Sequence, residues 1–138
     1  MSVPYTGGCA CGTIRYHISD EPLFQFDCQC RDCQRMSGTG HGSYLAFPSR
    51  LNVTLMGKAQ HWNMIADSGT VKTRGFCPTC GSPVHLISSA KPDLFSVHAA
   101  SLDDPSRYKP QAVTYRTRGY VWDCLDPVLP KFDEMAPG

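Results

Sequence analysis

The chain has 138 residues, a formal net charge of +1 and 18% charged residues, with no block of like charge. That balance excludes the basic stripe of a nucleic-acid or anionic-membrane surface. No apolar run approaches the roughly 20 residues that carry a helix across a bilayer. The length suits one domain with a moderate core.

Frequent glycine and proline, twelve and eleven residues, punctuate the chain into short strands and turns rather than long helices. Gly7-Gly8-Cys9-Ala10-Cys11-Gly12 reads as a knuckle whose glycines let the backbone wrap a pair of sulfurs. Thr13–Ile18 alternates as a half-buried strand, with Ile14, Tyr16 and Ile18 on one face. After the turn at Ser19–Pro22, Leu23–Asp27 is a second strand that delivers Cys28. Arg31–Ser37 can form about two helical turns, stopped by Gly38. Strands are expected at Ser43–Phe47 and Leu51–Leu55, and as an antiparallel pair at Lys58–Ile65 and Val71–Phe76 around the turn Asp67–Thr70. Val84–Leu86, Phe95–Ala100, Ala112–Tyr115 and Tyr120–Trp122 complete the strand-like runs, with a turn at Leu102–Pro105. A proline-rich tail follows from Pro127, with exposed Asp133 and Glu134 and a terminal Pro137-Gly138. The inferred class is mainly β.

Seven of the eight cysteines fall into three clusters: Cys9 and Cys11, Cys28, Cys30 and Cys33, and Cys77 and Cys80. A disulfide framework belongs to oxidising compartments. Met1–Gly8 offers neither the basic segment nor the apolar segment of a secretory leader, so metal binding in the cytoplasm is the expectation. Structural zinc takes four ligands, whereas catalytic zinc takes three from the protein and keeps one position open. Counting ligands, 9/11/77/80 closes one tetrahedron and 28/30/33 makes an open site. The alternative is a second structural site in which His41 or Cys124 closes the triplet. Cys30 and Cys33 would share a face at the start of the short helix, where backbone amides favour thiolate.

Gly8–Gly12, Cys28–Gly38 and Phe76–Pro83, in that order, resemble the glutathione-dependent formaldehyde-activating enzyme family, which includes the centromere protein V domain. Ser101–Pro105, Trp122-Asp123 and Leu129–Phe132 join the resemblance, which runs from about Gly7 to about Phe132 of a single domain at 1–138. It implies a zinc-ribbon-like β-tent fold and two zinc ions per chain. One would be structural, at Cys9, Cys11, Cys77 and Cys80; the other would be catalytic, at Cys28, Cys30 and Cys33. The implied reaction is addition of the glutathione thiol to formaldehyde or a similar small aldehyde, formally that of a carbon–sulfur lyase. Gln29 stands where relatives often carry histidine. The chemistry is coherent: three thiolates on a divalent zinc leave a net charge of −1, a poor centre for activating water but one able to hold a substrate thiol as thiolate.

Arg31 and Arg35 flank the triplet and are candidates for the carboxylates of a tripeptide, and His41 is a candidate to face the open site. Cys124 reads as a small buried hydrophobe, and Phe47 and Trp122 as core. His61, His85 and His98 carry no ligand spacing. Two other functions compete: a non-catalytic zinc module that binds a protein partner, and a methionine sulfoxide reductase-like enzyme using Cys124.

Overall fold

The structure is a computed structural model that describes residues 3–136; Met1, Ser2 and the terminal Pro137-Gly138 lie outside the described residues. The smaller of its two sheets is antiparallel and joins β1 (Tyr5–Gly8), β2 (Arg15–Ile18) and β5 (Val53–Met56). The larger has seven strands among the described residues. From one edge to the other they are β10 (Ala112–Thr114), β3 (Phe24–Cys28), β4 (Gly42–Phe47), β9 (Lys91–His98), β8 (Pro83–Ser88), β7 (Val71–Phe76) and β6 (Gln60–Ile65). Neighbours run antiparallel except β10 and β3, which run parallel with Thr114 opposite Cys28.

Both faces of the large sheet carry apolar side chains, and this positions the chemistry. Because successive residues of a strand point to opposite faces, the registers sort the side chains into two sets. Leu45, Val97 and His85 lie across one face, beside the pair Phe47 and Phe95. They pack with Tyr5, Ile14, Tyr16 and Ile18 of the small sheet in the main core, which also takes in Cys9 and Cys77. Phe26 and Tyr44, and the row Ala46, Ser96, Leu86 and Arg74, belong to the opposite face. There a second cluster forms around Cys28, Cys33 and Tyr44.

The single helix among the described residues, α1 (Arg31–Ser37), has the expected bounds, and Gly38 closes it with φ 79°, the left-handed conformation that glycine adopts without strain. The β7 bounds also match. Several expectations need correction. Tyr5–Gly8 is a strand paired with β2, so the knuckle begins only after Gly8. Leu51–Leu55 divides into a 3-10 turn at Arg50–Asn52, capped by Ser49, and β5. β9 begins four residues before the expected Phe95 and gives way to a 3-10 turn at Ala99–Ser101. Tyr120–Trp122 is not a strand, because the outer edge of β10 is already taken by the tail. Val113 donates to the Pro130 carbonyl at 2.8 Å, and Phe132 donates to that of Val113 at 2.9 Å. Released from any sheet, the Tyr120 and Trp122 rings stack on each other at 5.3 Å in an exposed loop, so Trp122 is not core. Cys124 is exposed in the same loop and is not a buried hydrophobe.

His85 shows what the tight core demands. Its ring is buried against Phe95 at 5.1 Å and His61 at 5.4 Å, and its Nδ1 has no hydrogen-bond partner. A methyl group on Gly75 would stand 2.1 Å from the imidazole, so only glycine fits there. Burial, with His61 adding repulsion, pushes the His85 pKa down from 6.5 to about 4. The folded state therefore holds the ring neutral while the unfolded chain protonates it. Its contribution is complete above about pH 6.5 and is lost towards about pH 4, at roughly 1.4 kcal/mol per pH unit. Replacing the ring by His85→Leu is expected to flatten the acid-side fall in urea midpoint relative to the parent chain. Denaturation curves of both proteins across that window check this; identical slopes would mean that the folded ring protonates as easily as the unfolded one.

Candidate metal centres

Cys9 and Cys11 lie on the turn after β1, Cys77 and Cys80 on the turn after β7, and the sulfurs of all four lie within 4.8 Å of one another. The Cys11 sulfur is 3.7 Å from those of both Cys9 and Cys77. A tetrahedral ion with metal–sulfur bonds of ~2.3 Å sets its ligands ~3.8 Å apart, whereas a disulfide needs ~2.05 Å. Backbone amides are already aimed at the sulfurs: Ile14 donates to Cys9 at 3.2 Å, and Thr79 and Cys80 donate to Cys77 at 3.4 and 3.5 Å. The Ile14 amide holds the Cys9 thiol below its usual value, and Ser82 brings that of Cys80 down to about 5. Spacing and donor chemistry fit a four-thiolate metal site consistent with zinc.

The second cluster is built by a strand end and a helix start. β3 ends on Cys28, and Cys30 caps α1, its sulfur accepting the Cys33 amide at 3.3 Å. Buried Gln34 pins the junction, donating to the Gln29 carbonyl at 2.8 Å and to that of Arg118 at 3.0 Å. The sulfurs of Cys28, Cys30 and Cys33 lie within 4.8 Å of one another, so they too could hold a metal ion. The seven clustered cysteines thus divide four and three, on opposite faces of the large sheet.

Arg74 is the decisive neighbour of the triplet. Its side chain is 1% exposed, and its guanidinium donates to the Cys33 sulfur at 3.6 Å, to the Tyr44 hydroxyl at 3.2 Å and to the Met64 sulfur at 2.9 Å. Among the described residues no carboxylate forms an ion pair with it. A buried cation requires a counter-charge, and sulfur is what this one is given. Donation from Cys28 and Cys30, with Arg74 adding its charge, holds the Cys33 thiol well below its usual value despite burial. The same pairing raises Cys28, which shares the site with the charge on its neighbours. Burial and the adjoining Cys33 keep Tyr44 a protonated phenol.

Sequence reasoning singled out three further residues, Arg31, Arg35 and His41, and none of them lines the cavity beside the triplet. His41 gives Nδ1 to Asp123 at 2.8 Å and lines a polar cavity of about 630 Å³ that none of the three cysteines lines. Arg31 donates to the Gln34 side chain at 2.6 Å, and both Arg31 and Arg35 are exposed on α1, lining neither this cavity nor the one beside the triplet. Gln29 donates to Asp123 at 3.2 Å, so a chain Gln29–Asp123–His41 runs from the triplet to the polar cavity. Sequence reasoning missed Arg74, Tyr44 and Asp123. Arg74 sits in an ordinary mixed strand, and only register brings it to Cys33.

A family model described as glutathione-dependent formaldehyde-activating enzyme matches residues 4–118, which include all seven clustered cysteines. The chain belongs to this family. At family level its chemistry is therefore glutathione-dependent formaldehyde activation, and glutathione and formaldehyde are the substrates that the family's name implies. The fold of this formaldehyde-activating family member is also that of a Rhodobacter sphaeroides protein of known crystal structure. The two are 16% identical with a TM-score of 0.58, over 92% of this chain and 98% of the other. No helix of the family member is long and apolar enough to cross a membrane, among the described residues.

Arg74→Met keeps an unbranched side chain, shorter than that of arginine, and removes its charge. The triplet is then expected to lose its ion to a chelator at concentrations on the order of 10–100-fold lower, as loss of an outer partner typically does. The four-cysteine site should be unaffected. Stepwise zinc release against a chromogenic chelator checks this, and unchanged release from the triplet would count against charge compensation.

Proposed function

We propose that this family member is a carbon–sulfur lyase of the S-hydroxymethylglutathione synthase type, run in the direction of thiol addition. Cys9, Cys11, Cys77 and Cys80 would hold a structural zinc, and Cys28, Cys30 and Cys33 a catalytic one. The observation that carries the reading is the contact of buried Arg74 with Cys33, a cation that favours thiolate at this member of the triplet. Zinc bound there supplies a fourth position in which a substrate thiol is held as thiolate.

The chain's own residues do the rest. In the reaction a sulfur–carbon bond forms, the carbonyl π bond breaks, and the thiol proton ends on the new hydroxyl oxygen. Arg74 would offset the excess negative charge of three metal-held thiolates, and it favours the thiolate at Cys33. Tyr44 accepts from Arg74 and adjoins Cys33, a protonated phenol placed to donate to negative charge beside the sulfurs. Phe26 and Leu86 pack on the cluster and make its surroundings apolar. Free thiols in the protein and glutathione as co-substrate both require a reducing compartment, which favours the cytoplasm.

Two measurements test the reading. With cobalt in place of zinc, glutathione should strengthen the sulfur-to-metal charge-transfer absorption, and the serine analogue of the tripeptide should not. The approach to equilibrium of glutathione and formaldehyde should exceed the rate without enzyme. A metal-loaded protein indifferent to thiols in both assays would point to a non-catalytic zinc module instead.

The two cysteine sets should also separate on mutation. Cys77→Ser removes a ligand embedded in the main core and is expected to lower the melting temperature severely, since structural zinc contributes folding free energy directly. Cys30→Ser should leave the fold standing and abolish turnover. Melting curves and rates for the pair check this, and equal destabilisation would make the triplet structural.

A further inference from the structure

The triplet opens into a cavity of about 500 Å³, within the range of sites that enclose a drug-sized molecule and far larger than formaldehyde. Cys28 and Cys33 lie at its inner wall. Phe24 and Phe26, stacked at 5.3 Å, form one side, Tyr44 and Ala46 the floor, and Leu86 and Leu94 the other side. These residues belong to the face of the large sheet turned away from the main core. A sheet face left to solvent ordinarily carries polar side chains, and this one carries aromatic and aliphatic ones beside Ser88 and Ser96. Lys72 and Lys91 also line the cavity, and no aspartate or glutamate does, among the described residues.

We propose that the carbonyl substrate admitted here is an aldehyde with an apolar, aromatic-sized body and an anionic group at its far end. The inference rests on the reading of the triplet as a thiol-addition centre. The aldehyde carbon would meet the thiol sulfur at the cysteine end, the body would lie along Phe26, Leu86 and Leu94, and the anion would reach Lys72. The step is the same addition: the sulfur–carbon bond forms, the carbonyl π bond breaks, the thiol proton passes to oxygen, and no oxidant or reductant takes part. Formaldehyde can react at the sulfurs and leaves the apolar walls unused, so discrimination is expected in favour of the larger aldehyde.

The test uses the zinc-loaded full chain, glutathione at fixed concentration and three aldehydes: formaldehyde, para-ethylbenzaldehyde and para-(carboxyethyl)benzaldehyde. Rates are taken as the excess over the uncatalysed approach to equilibrium. Expected is a rise in kcat/KM along that series, the carboxylated aldehyde exceeding formaldehyde by on the order of tenfold or more, as apolar pocket contacts deliver. Lys72→Met should bring the carboxylated aldehyde down to the neutral one. Leu94→Asn should lower both aromatic aldehydes relative to formaldehyde, with melting temperature and zinc content measured on each variant.

Acceleration of formaldehyde alone would overturn the proposal and leave the thiol-addition reading intact. Equal rates for the two aromatic aldehydes would overturn the anionic end. Acceleration of no aldehyde would overturn the reading of the centre. In that case the alcohol corresponding to the carboxylated aldehyde, which cannot add a thiol, judges the cavity alone. Saturable shifts of the Leu86 and Leu94 methyl resonances would support the ligand class, and their absence would overturn it.

Discussion

A guanidinium taken out of water must be answered by negative charge, and in this molecule the answer is sulfur. Arg74 is buried in the interior of β7, the strand beside the edge strand β6, where a neutral residue would be far easier to accommodate. Its presence is explained by what lies across the sheet face, a cluster of three thiols that is anionic when it carries a divalent ion. Each charge makes the other tolerable. Tyr44 accepts from the same guanidinium that donates to Cys33, so Arg74 joins phenol and sulfur into one hydrogen-bonded unit.

The large sheet separates two tasks that would otherwise compete. The face towards β1 and β2 carries the main core, and the four-cysteine set closes it at one end through Cys9 and Cys77. The opposite face carries the triplet and its apolar cavity. A cysteine set embedded in the core is difficult to open without loss of the fold, whereas a three-cysteine set beside a cavity can exchange its remaining position. On the proposed reading, the closed and the open metal site would lie on two faces of one sheet.

Much of this was legible in the sequence because it is local. Ligand spacing within each cysteine cluster, the short helix stopped by Gly38 and the alternation of β7 all depend on neighbours a few residues apart. What escaped depends on register between distant strands. Arg74 reaches Cys33 because Arg74 pairs with Leu86, Leu86 with Ser96, Ser96 with Ala46, and Tyr44 follows two residues before Ala46. No pattern within Val71–Phe76 distinguishes Arg74 from Lys72. His41 and the helix arginines were singled out by proximity along the chain, which does not fix the cavity a side chain lines; His41 lines the one that the three cysteines do not. Trp122 and Cys124 were assigned by residue type, and the loop that holds them was displaced from the sheet by a segment farther along.

That segment has a protective role of its own. Pro130 and Phe132 occupy the hydrogen-bonding groups of Val113, Glu134 and Phe132 accept from Tyr115 and Arg116, and Arg116 pairs with Asp133 at 2.7 Å. The edge strand next to the reactive sulfurs therefore presents few free amides to a neighbouring molecule. An uncovered edge is a template on which another chain can add a strand. Here such an addition would bring foreign backbone against β10, one strand from Cys28. The tail occupies that edge first, so strand-by-strand self-association is blocked where it would do the chemistry most harm.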